Sequence, residues 1–139
     1  RTMMDNFKKK ADDISKDIVI MASLIEKEVP ESNDRKIISG ILWKRLKLGM
    51  PLQVDAVFPY LTGKREVLSD DLKIDSPYNT YLYKGLPPGP ISNPGLDAIE
   101  AARNPKESPY LYYLSGQDGK THFAKTFAEH LRNKERYLK

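Results

Sequence analysis

The sequence contains no cysteine, and its only histidines are His122 and His130. A chain without cysteine has no disulfide framework, no thiolate metal site and no cysteine nucleophile. The two histidines are too few, and too far apart along the chain, to indicate a metal site. The sequence also has no run of about 18 apolar residues, so none of its segments is predicted to span a membrane.

The chain also lacks a strong excess of charge of one sign. Its 139 residues carry a formal net charge of +4, with 30% charged and 40% hydrophobic side chains. This size and composition predict a globular domain with one core. Lys8–Lys10 is the one tight basic run, and the remaining cations are dispersed rather than interleaved with aromatic residues. Nucleic-acid binding is therefore not indicated, whereas a mild positive charge suits an anionic polymer.

The most apolar stretch, Ile18–Val29, predicts a helix that ends in two carboxylates. Glu28 continues an i, i+4 row of apolar side chains that includes Ile20 and Leu24, whereas Glu26 lies nearer the polar edge. Burial at the end of this row would raise the pKa of the Glu28 carboxyl, so that it holds a proton near neutral pH, as a general acid must. The two glutamates point roughly 200° apart and cannot form a facing pair. The alternative is that both are ordinary solvated side chains.

The other elements are predicted from apolar spacing and from capping and turn residues. A short helix at Thr2–Ala11 and a break at Asp12–Ser15 precede the apolar helix, so residues 1–16 are expected to form a linking helix and turn. The remaining predictions are a helix from about Asp34 to Leu48, a brief strand or a loop at Leu52–Asp55, a helical turn at Ser69–Leu72, a helix at Gly95–Arg103, a hairpin of Tyr110–Ser115 and Lys120–Thr126, and a final helix from about Thr126 to Leu138. The fold class is α+β, mostly helical, with a small antiparallel element.

Prolines divide the region from Met50 to Asn104 into short pieces. The segment Gly85–Gly95, with the sequence GLPPGPISNPG, offers too few backbone donors for a helix or a central strand. Its prolines make it stiff, so it is expected to be a shaped loop. Two interpretations stay open, because such a loop serves either as the wall of a binding groove or as a rigid connector.

Four stretches of the chain resemble the catalytic domain of the MltG (YceG-like) endolytic murein transglycosylases. The pairing of YNTY with GLPPGPI at this spacing is the most specific of these signals. The stretches are ASLIEKE (Ala22–Glu28), RLKLGMPLQVD (Arg45–Asp55), SPYNTYLYKGLPPGPISNPG (Ser76–Gly95) and PYLYYLSGQDGKTHFAKTFAEH (Pro109–His130).

The resemblance implies a lysozyme-like catalytic domain over residues 1–139, with a long proline-rich loop region. It also implies that the chain is a C-terminal fragment of a longer, membrane-anchored protein whose active site faces the extracytoplasmic side of the cell membrane. The implied partners are peptidoglycan glycan strands and wall-synthesis proteins such as penicillin-binding proteins, with no nucleic acid. No metal or organic cofactor is implied.

The implied activity is lytic cleavage of the β-1,4 bond between MurNAc and GlcNAc, in cell-wall synthesis or glycan-strand termination. The relatives carry an apolar pair, two variable residues and then the catalytic glutamate, which assigns the acid to Glu28, with Glu26 as the fallback. Val29 departs from the Ser, Thr or Gly usual after that glutamate. With one carboxyl group as acid and then base, the product would end in 1,6-anhydro-MurNAc.

Further side chains are predicted to contact the sugar because they offer amide groups, hydroxyl groups or flat aromatic faces. Asp55 is expected either to orient Gln53 or Asn79 or to cap a local turn. The predicted substrate-binding residues are Gln53, Asp55, Tyr78, Asn79, Tyr81, Ser92 and Asn93. The residues assigned to packing, to a helix flank or to a structural role are Arg45, Tyr110, Tyr112, Tyr113 and His122.

Two other functions remain as alternatives to the enzyme. A non-catalytic peptidoglycan-binding module would use Glu28 only to bind, and that glutamate should then be ionised and exposed. A basic partner-binding domain would gather its lysines and arginines on one face, whereas the sequence disperses them.

Overall fold

The computed structural model describes residues 3–28, 32–64 and 67–138, with side chains for these ranges except residues 3–15, 32 and 33. The elements in these ranges are α1 (Met3–Glu28), α2 (Ser32–Leu48), α3 (Val57–Thr62), a 3-10 helix (Ser69–Lys73), α4 (Leu96–Arg103), β1 (Tyr112–Ser115), β2 (Thr121–Ala124) and α5 (Phe127–Tyr137). The predicted class, α+β with a small antiparallel element, is confirmed. None of the helices in these ranges combines the length and apolar character that crossing a membrane requires.

Helix α1 is longer than the sequence patterns predict. The expected break at Asp12–Ser15, and with it the turn in residues 1–16, is wrong, because α1 runs without interruption from Met3 to Glu28. This range contains neither proline nor glycine, and aspartate or serine inside a helix costs only a few tenths of a kcal/mol. Thr2, the expected first residue of the linking helix, lies outside the described residues.

The core forms where α1, α2 and α4 pack together with the segment that follows α2. The row that contains Ile20 and Leu24 is buried, as the periodicity predicts. The other main contributors come from all of these elements and include Met21, Ile25, Ile38, Leu42, Leu52, Val54, Phe58, Ala98 and Ala102. Glu28 therefore stands at the end of a helix whose preceding turns are fixed in the core.

The segment Leu52–Asp55 is an irregular loop, not a strand, and its side chains alternate between core and solvent. Leu52 and Val54 are buried, whereas Gln53 and Asp55 are exposed. The backbone N–H groups of Gln53 and Val54 donate to the carbonyl and the hydroxyl of buried Thr80, at 3.2 and 2.9 Å. This pairing fixes which side chains of the loop point outward.

The proline-rich loop ends on α1 and acts there as a rigid connector. Ser23 accepts a hydrogen bond from the Ile91 backbone N–H at 3.0 Å, and its carbonyl accepts one from the Ser92 hydroxyl at 3.3 Å. One turn later, a Glu26 carboxylate oxygen accepts from the Gly95 N–H at 2.9 Å. Gly95 is the residue before α4, so these contacts set the start of α4 relative to α1.

The C-terminal third forms the predicted hairpin and final helix. Strands β1 and β2 pair antiparallel, with Tyr112 opposite Ala124. The Thr126 hydroxyl caps α5 by accepting from the Glu129 N–H at 3.2 Å. His122 lies 3.0 Å from an Asp118 oxygen and stacks on Tyr137 of α5, contacts that are consistent with the expected structural role. These contacts fasten α5 to the hairpin.

Two buried serines on neighbouring helices give a matched test of the connector. Ser23→Ala leaves the buried Ile91 N–H without an acceptor and should lower the free energy of unfolding by about 1–3 kcal/mol. Ser39 is equally buried, but its hydroxyl has no hydrogen-bond partner among the described residues, so Ser39→Ala should change stability by less than about 0.5 kcal/mol or raise it. Urea unfolding of the three proteins measures both values. Equal losses in the two variants would contradict the anchoring role of Ser23.

Candidate active site

A cleft with a volume of about 640 Å³ lies between the end of α1, the Leu52–Asp55 loop, the hairpin and α5. Glu28 and Asp55 are the acidic side chains among the described residues that line it. The same cleft contains the predicted residues Gln53 and Tyr81. Four predicted site residues from three separate segments of the chain are thus brought together.

Glu28 lies half-buried at the C-terminal end of α1. Its Oε1 atom accepts a hydrogen bond from the Tyr113 hydroxyl at 3.1 Å. Burial foremost, and then the charge of Asp55, raise the pKa of Glu28 to about 7, while hydrogen bonds from Tyr113 and the Ala56 backbone oppose the shift. The carboxyl group is therefore close to half-protonated at neutral pH, which suits it both to give and to accept a proton.

Asp55 supplies a second carboxylate to the cleft and, unlike Glu28, is exposed. It accepts a hydrogen bond from the Tyr81 hydroxyl, whose ring packs against Phe58 at 5.7 Å between centroids. Burial and the Asp55 carboxylate raise the pKa of Tyr81, so this hydroxyl stays protonated and remains a donor. Neither expected role of Asp55, orienting a neighbouring amide or capping a turn, is found, because its described side-chain bond goes to Tyr81.

Gln53 has an unusual backbone conformation, with φ of +54°, the left-handed region that glycine favours. A residue of this type costs about 1–2 kcal/mol there, and such strain collects at functional sites. The bond from its N–H to Thr80 holds the loop in this form and leaves the amide side chain exposed in the cleft.

The fallback acid, Glu26, lies outside the residues that line the cleft. Its carboxylate binds the Gly95 N–H at the start of α4, on the other side of α1. The helical pitch explains the difference, since residues two positions apart point in nearly opposite directions. Val29, the position where the sequence departs from its relatives, lies outside the described residues.

The prediction that Asn79 contacts sugar is wrong for this structure. Its side chain is fully buried, and its amide N–H groups donate to the carbonyls of Leu72 and Ile74 at 3.0 and 2.8 Å. Its carbonyl oxygen accepts from the backbone N–H groups of Tyr81 and Leu82. Every hydrogen-bonding position of Asn79 therefore serves the turn that presents Tyr81.

Three other predicted contacts also lie outside the cleft lining. Tyr78 packs against Tyr60 with ring centroids 5.2 Å apart, and the Ser92 hydroxyl is bonded to α1. Asn93 is exposed in the connector. Their loop contacts the flank of α1 that carries Ser23 and Glu26, which is turned away from Glu28.

Tyr112 and Tyr113 were assigned to packing, yet both line the cleft. Burial raises the pKa of Tyr113 well above its usual value, so its hydroxyl remains a donor to Glu28. Strand alternation, which sends consecutive side chains to opposite faces, indicates that the two tyrosines do not share one core, but it does not predict that both line one cleft.

Arg45, assigned to a helix flank, also lines the cleft and joins two of its walls. The guanidinium donates to the Leu111 carbonyl at 2.8 Å, on the hairpin side, and to the Leu52 carbonyl at 3.1 Å, in the preceding loop. Its terminal carbon lies 5.1 Å from the centre of the Tyr112 ring. No group of three side chains with metal-ligand chemistry occurs among the residues the structure describes.

The pKa of Glu28 is directly testable by NMR of the labelled carboxyl carbon. Asp55→Asn should lower this pKa by removing a nearby negative charge, whereas Tyr113→Phe should raise it by removing a hydrogen bond to the ionised form. Shifts of the same sign in both variants would contradict this arrangement of charges.

The same shift makes the stability of the fold depend on pH. Folding raises the pKa of Glu28 from its ordinary value of 4.5 to about 7. The protonated carboxyl therefore contributes its full stabilisation below about pH 4.5, and this contribution is lost as the pH rises through about 7. Glu28→Gln cannot ionise, so its stability relative to the unmutated protein should increase by about 3 kcal/mol between acidic pH and pH 8. Denaturant unfolding at several pH values measures this difference, and a flat profile would contradict it.

Strain at residue 53 is tested by a pair of substitutions. Gln53→Ala and Gln53→Gly both remove the amide, but only glycine relieves the left-handed conformation, so the glycine variant should be more stable by about 1 kcal/mol. Both variants should weaken substrate binding to the same extent. Thermal unfolding and binding measurements separate the two effects, and a less stable glycine variant would argue against strain.

The comparisons with known proteins agree on one family. The YceG-like family model matches residues 1–136. A Bacillus subtilis protein named endolytic murein transglycosylase is 48% identical over 123 residues, and a Streptococcus pneumoniae protein of the same name is 40% identical over 125 residues. These alignments cover 87% and 84% of this chain. A crystal structure of a yceG-like protein from Listeria monocytogenes superposes with a TM-score of 0.81 at 43% identity, over 91% of this chain.

The chain spans only part of the length of these relatives. It matches 34% of the B. subtilis protein, 23% of the S. pneumoniae protein and 44% of the L. monocytogenes chain. Within that part, the family model extends over nearly all of the sequence, and the superposition extends over nearly all of the fold. This chain belongs to the YceG-like family.

Proposed function

We propose that this chain is the catalytic part of an endolytic murein transglycosylase that cleaves the β-1,4 bond between MurNAc and GlcNAc in peptidoglycan. The observation that carries the proposal is the Glu28 carboxyl group, which opens into the cleft while burial holds its pKa near 7. The activity stated in the names of the B. subtilis and S. pneumoniae relatives supports the same reaction class.

The reaction needs one group that acts first as an acid and then as a base. Protonated Glu28 gives its proton to the glycosidic oxygen, and the bond from C1 of MurNAc to that oxygen breaks with its electron pair leaving on GlcNAc. The 2-acetamido group of MurNAc stabilises the positive charge that develops at C1. Ionised Glu28 then takes the proton of the MurNAc 6-hydroxyl as its oxygen bonds to C1, which closes the 1,6-anhydro ring and regenerates the acid.

The substrate contacts in this proposal come from the predicted residues that reach the cleft. Gln53 offers an exposed amide to hydroxyl and N-acetyl groups, and Tyr81 offers an aromatic surface beside Asp55. Tyr113 is a positioning residue, because its hydroxyl fixes the orientation of the Glu28 carboxyl. Tyr78, Asn79, Ser92 and Asn93 instead support the loops that form the cleft.

The presence of a second carboxyl group in the cleft, that of Asp55, supports hydrolysis as a second candidate activity. Glycoside hydrolases use two carboxyl groups in different environments, and in this cleft Glu28 is half-buried whereas Asp55 is exposed. An exposed carboxylate that receives the Tyr81 hydroxyl is suited to stabilise positive charge at C1 or to direct a water molecule. Hydrolysis would leave a reducing MurNAc end instead of an anhydro ring.

The environment of Glu28 argues against a module that only binds glycan. A glutamate that serves in binding should be ionised and exposed, whereas this one is half-buried with a raised pKa. The proposed place of action is the extracytoplasmic side of the cell membrane, with wall-synthesis proteins such as penicillin-binding proteins as partners. Both follow from the proposed substrate, which lies outside the membrane.

Mass spectrometry of digested peptidoglycan tests the proposal. The unmutated protein should release fragments that end in 1,6-anhydro-MurNAc, and Glu28→Gln should lower the rate by about 10²–10⁴-fold because it removes the acid and base. Glu26→Gln is the matched control and should retain cleavage, since Glu26 bonds to the connector. Loss of activity only in Glu26→Gln would show that Glu26, and not Glu28, is the acid.

The chemical form of the new end separates the two candidate reactions. Reducing ends that disappear in Asp55→Asn would establish hydrolysis with Asp55 as the second carboxyl group. Anhydro ends that persist in Asp55→Asn would support the reaction through Glu28 alone. Glycan that binds without any cleavage would favour the binding module.

A further inference from the structure

The cleft continues past Glu28 to a group of basic side chains that the proposed reaction does not use. Arg45, His130 and Lys134 line this part, and we call them the basic subsite. His130 and Lys134 are four residues apart on α5 and therefore share one face of that helix. Arg45 reaches the same place from α2, and both Arg45 and His130 contact the Tyr112 ring.

The charge on Arg45 has an unusual environment. The side chain is 5% exposed, and its described partners are backbone carbonyls and the Tyr112 ring. Within the described ranges, no carboxylate pairs with its guanidinium, although buried charges in proteins are ordinarily paired. Its Nη2 atom makes none of these bonds and is not among the described polar atoms that are both fully buried and unpartnered. This nitrogen is therefore available to an acceptor in the cleft.

The two residues from α5 add donors beside Arg45. The His130 ring stacks on Tyr112 at 5.1 Å between centroids, and its buried Nδ1 atom has no hydrogen-bond partner in the part of the chain that the structure describes. Burial, followed by the charges of Lys134 and Arg45, lowers the pKa of His130, so the three groups lie within electrostatic range of each other. Lys134 is exposed and presents its ammonium group to solvent.

Within the described residues, the acidic side chains of the cleft form no ion pair with the basic subsite. Glu28 and Asp55 are each bonded to a tyrosine hydroxyl of their own, at the end of α1 and in the Leu52–Asp55 loop. Tyr112 and Phe127, with ring centroids 5.8 Å apart, add apolar surface next to the cations. Cations without a described carboxylate partner, next to aromatic rings, suit a ligand that carries both aliphatic groups and an anionic group.

We propose that the basic subsite binds a carboxylate of the peptide that branches from MurNAc, and so makes the protein prefer glycan that still carries its peptides. This inference rests on the proposed function. The hydroxyl and acetamido groups of the sugar backbone are neutral, and in a peptide-bearing strand the lactyl carboxyl is consumed in an amide bond. The anionic groups of such a strand therefore lie on the peptide, whose aliphatic side chains match the aromatic surface.

Calorimetric titration with three glycan oligomers of equal length tests this inference. The first oligomer carries intact peptides, the second carries peptides whose carboxylates have been converted to amides, and the third has lost its peptides and exposes lactyl carboxylates. All titrations use the Glu28→Gln background, so that no oligomer is cleaved. The variants are Lys134→Gln, Lys134→Arg, which keeps the charge, and Arg132→Gln, a matched control on an exposed α5 cation outside the cleft.

Lys134→Gln should weaken binding of the intact oligomer about tenfold, the effect of one charge-assisted hydrogen bond. Lys134→Arg should restore most of this loss, and Arg132→Gln should not change the affinity. The amidated oligomer should bind about tenfold more weakly than the intact one, with no further loss in Lys134→Gln. His130→Gln should weaken only the intact oligomer.

Several results would overturn the inference. Equal affinities for the intact and amidated oligomers, or equal losses in Lys134→Gln for both, would show that no peptide carboxylate is bound. Tight binding of the peptide-free oligomer that depends on Lys134 would assign the subsite to the lactyl carboxylate instead. If none of the three oligomers binds, the proposed function fails together with the inference, whereas equal binding of all three overturns the inference alone.

Discussion

The hydrogen bond between the Tyr113 hydroxyl and Glu28 is the contact on which the rest of the site depends. It joins two residues that are 85 positions apart and brings the hairpin against the end of α1. The hairpin is thus part of the surroundings in which burial raises the pKa of Glu28 to about 7. The contacts between α5 and β2 in turn hold the hairpin that carries Tyr113.

The cleft brings acidic and basic side chains together on one surface. The Glu28 and Asp55 carboxyl groups and the buried Arg45 guanidinium all line the cleft, and each has its own donor or acceptor in the protein. Tyr113 serves Glu28, Tyr81 serves Asp55, and the carbonyls of two loops serve Arg45. The burial of Glu28 costs stability that the core must supply, a common feature of catalytic sites.

Local patterns predicted the parts of this structure that depend on neighbours in sequence. The apolar row in α1 identified Glu28 because its burial follows helical periodicity, and turn and capping residues identified the hairpin and α5. The patterns failed where the partner is distant. Asn79 and Tyr81 look equally suited to a sugar, but only the fold shows that the Asn79 amide is consumed by the backbone while Tyr81 reaches Asp55. Arg45 and Tyr112 were missed for the same reason, since their positions are set by contacts across the chain. The predicted break at Asp12–Ser15 is wrong for a different reason, since residues of weak helix propensity do not by themselves end a helix.

The alternation in the Leu52–Asp55 loop has a consequence for how this family can vary. Two buried side chains and two cleft side chains follow each other within four residues, and Thr80 holds the backbone at both Gln53 and Val54. Inserting or deleting one residue here would exchange the faces, sending Gln53 or Asp55 into the core and an apolar side chain into the cleft. A substitution in this loop alters either the core or the cleft, whereas an insertion or deletion alters both together. Variation on the cleft side of this loop is therefore limited to exchanging side chains at constant length.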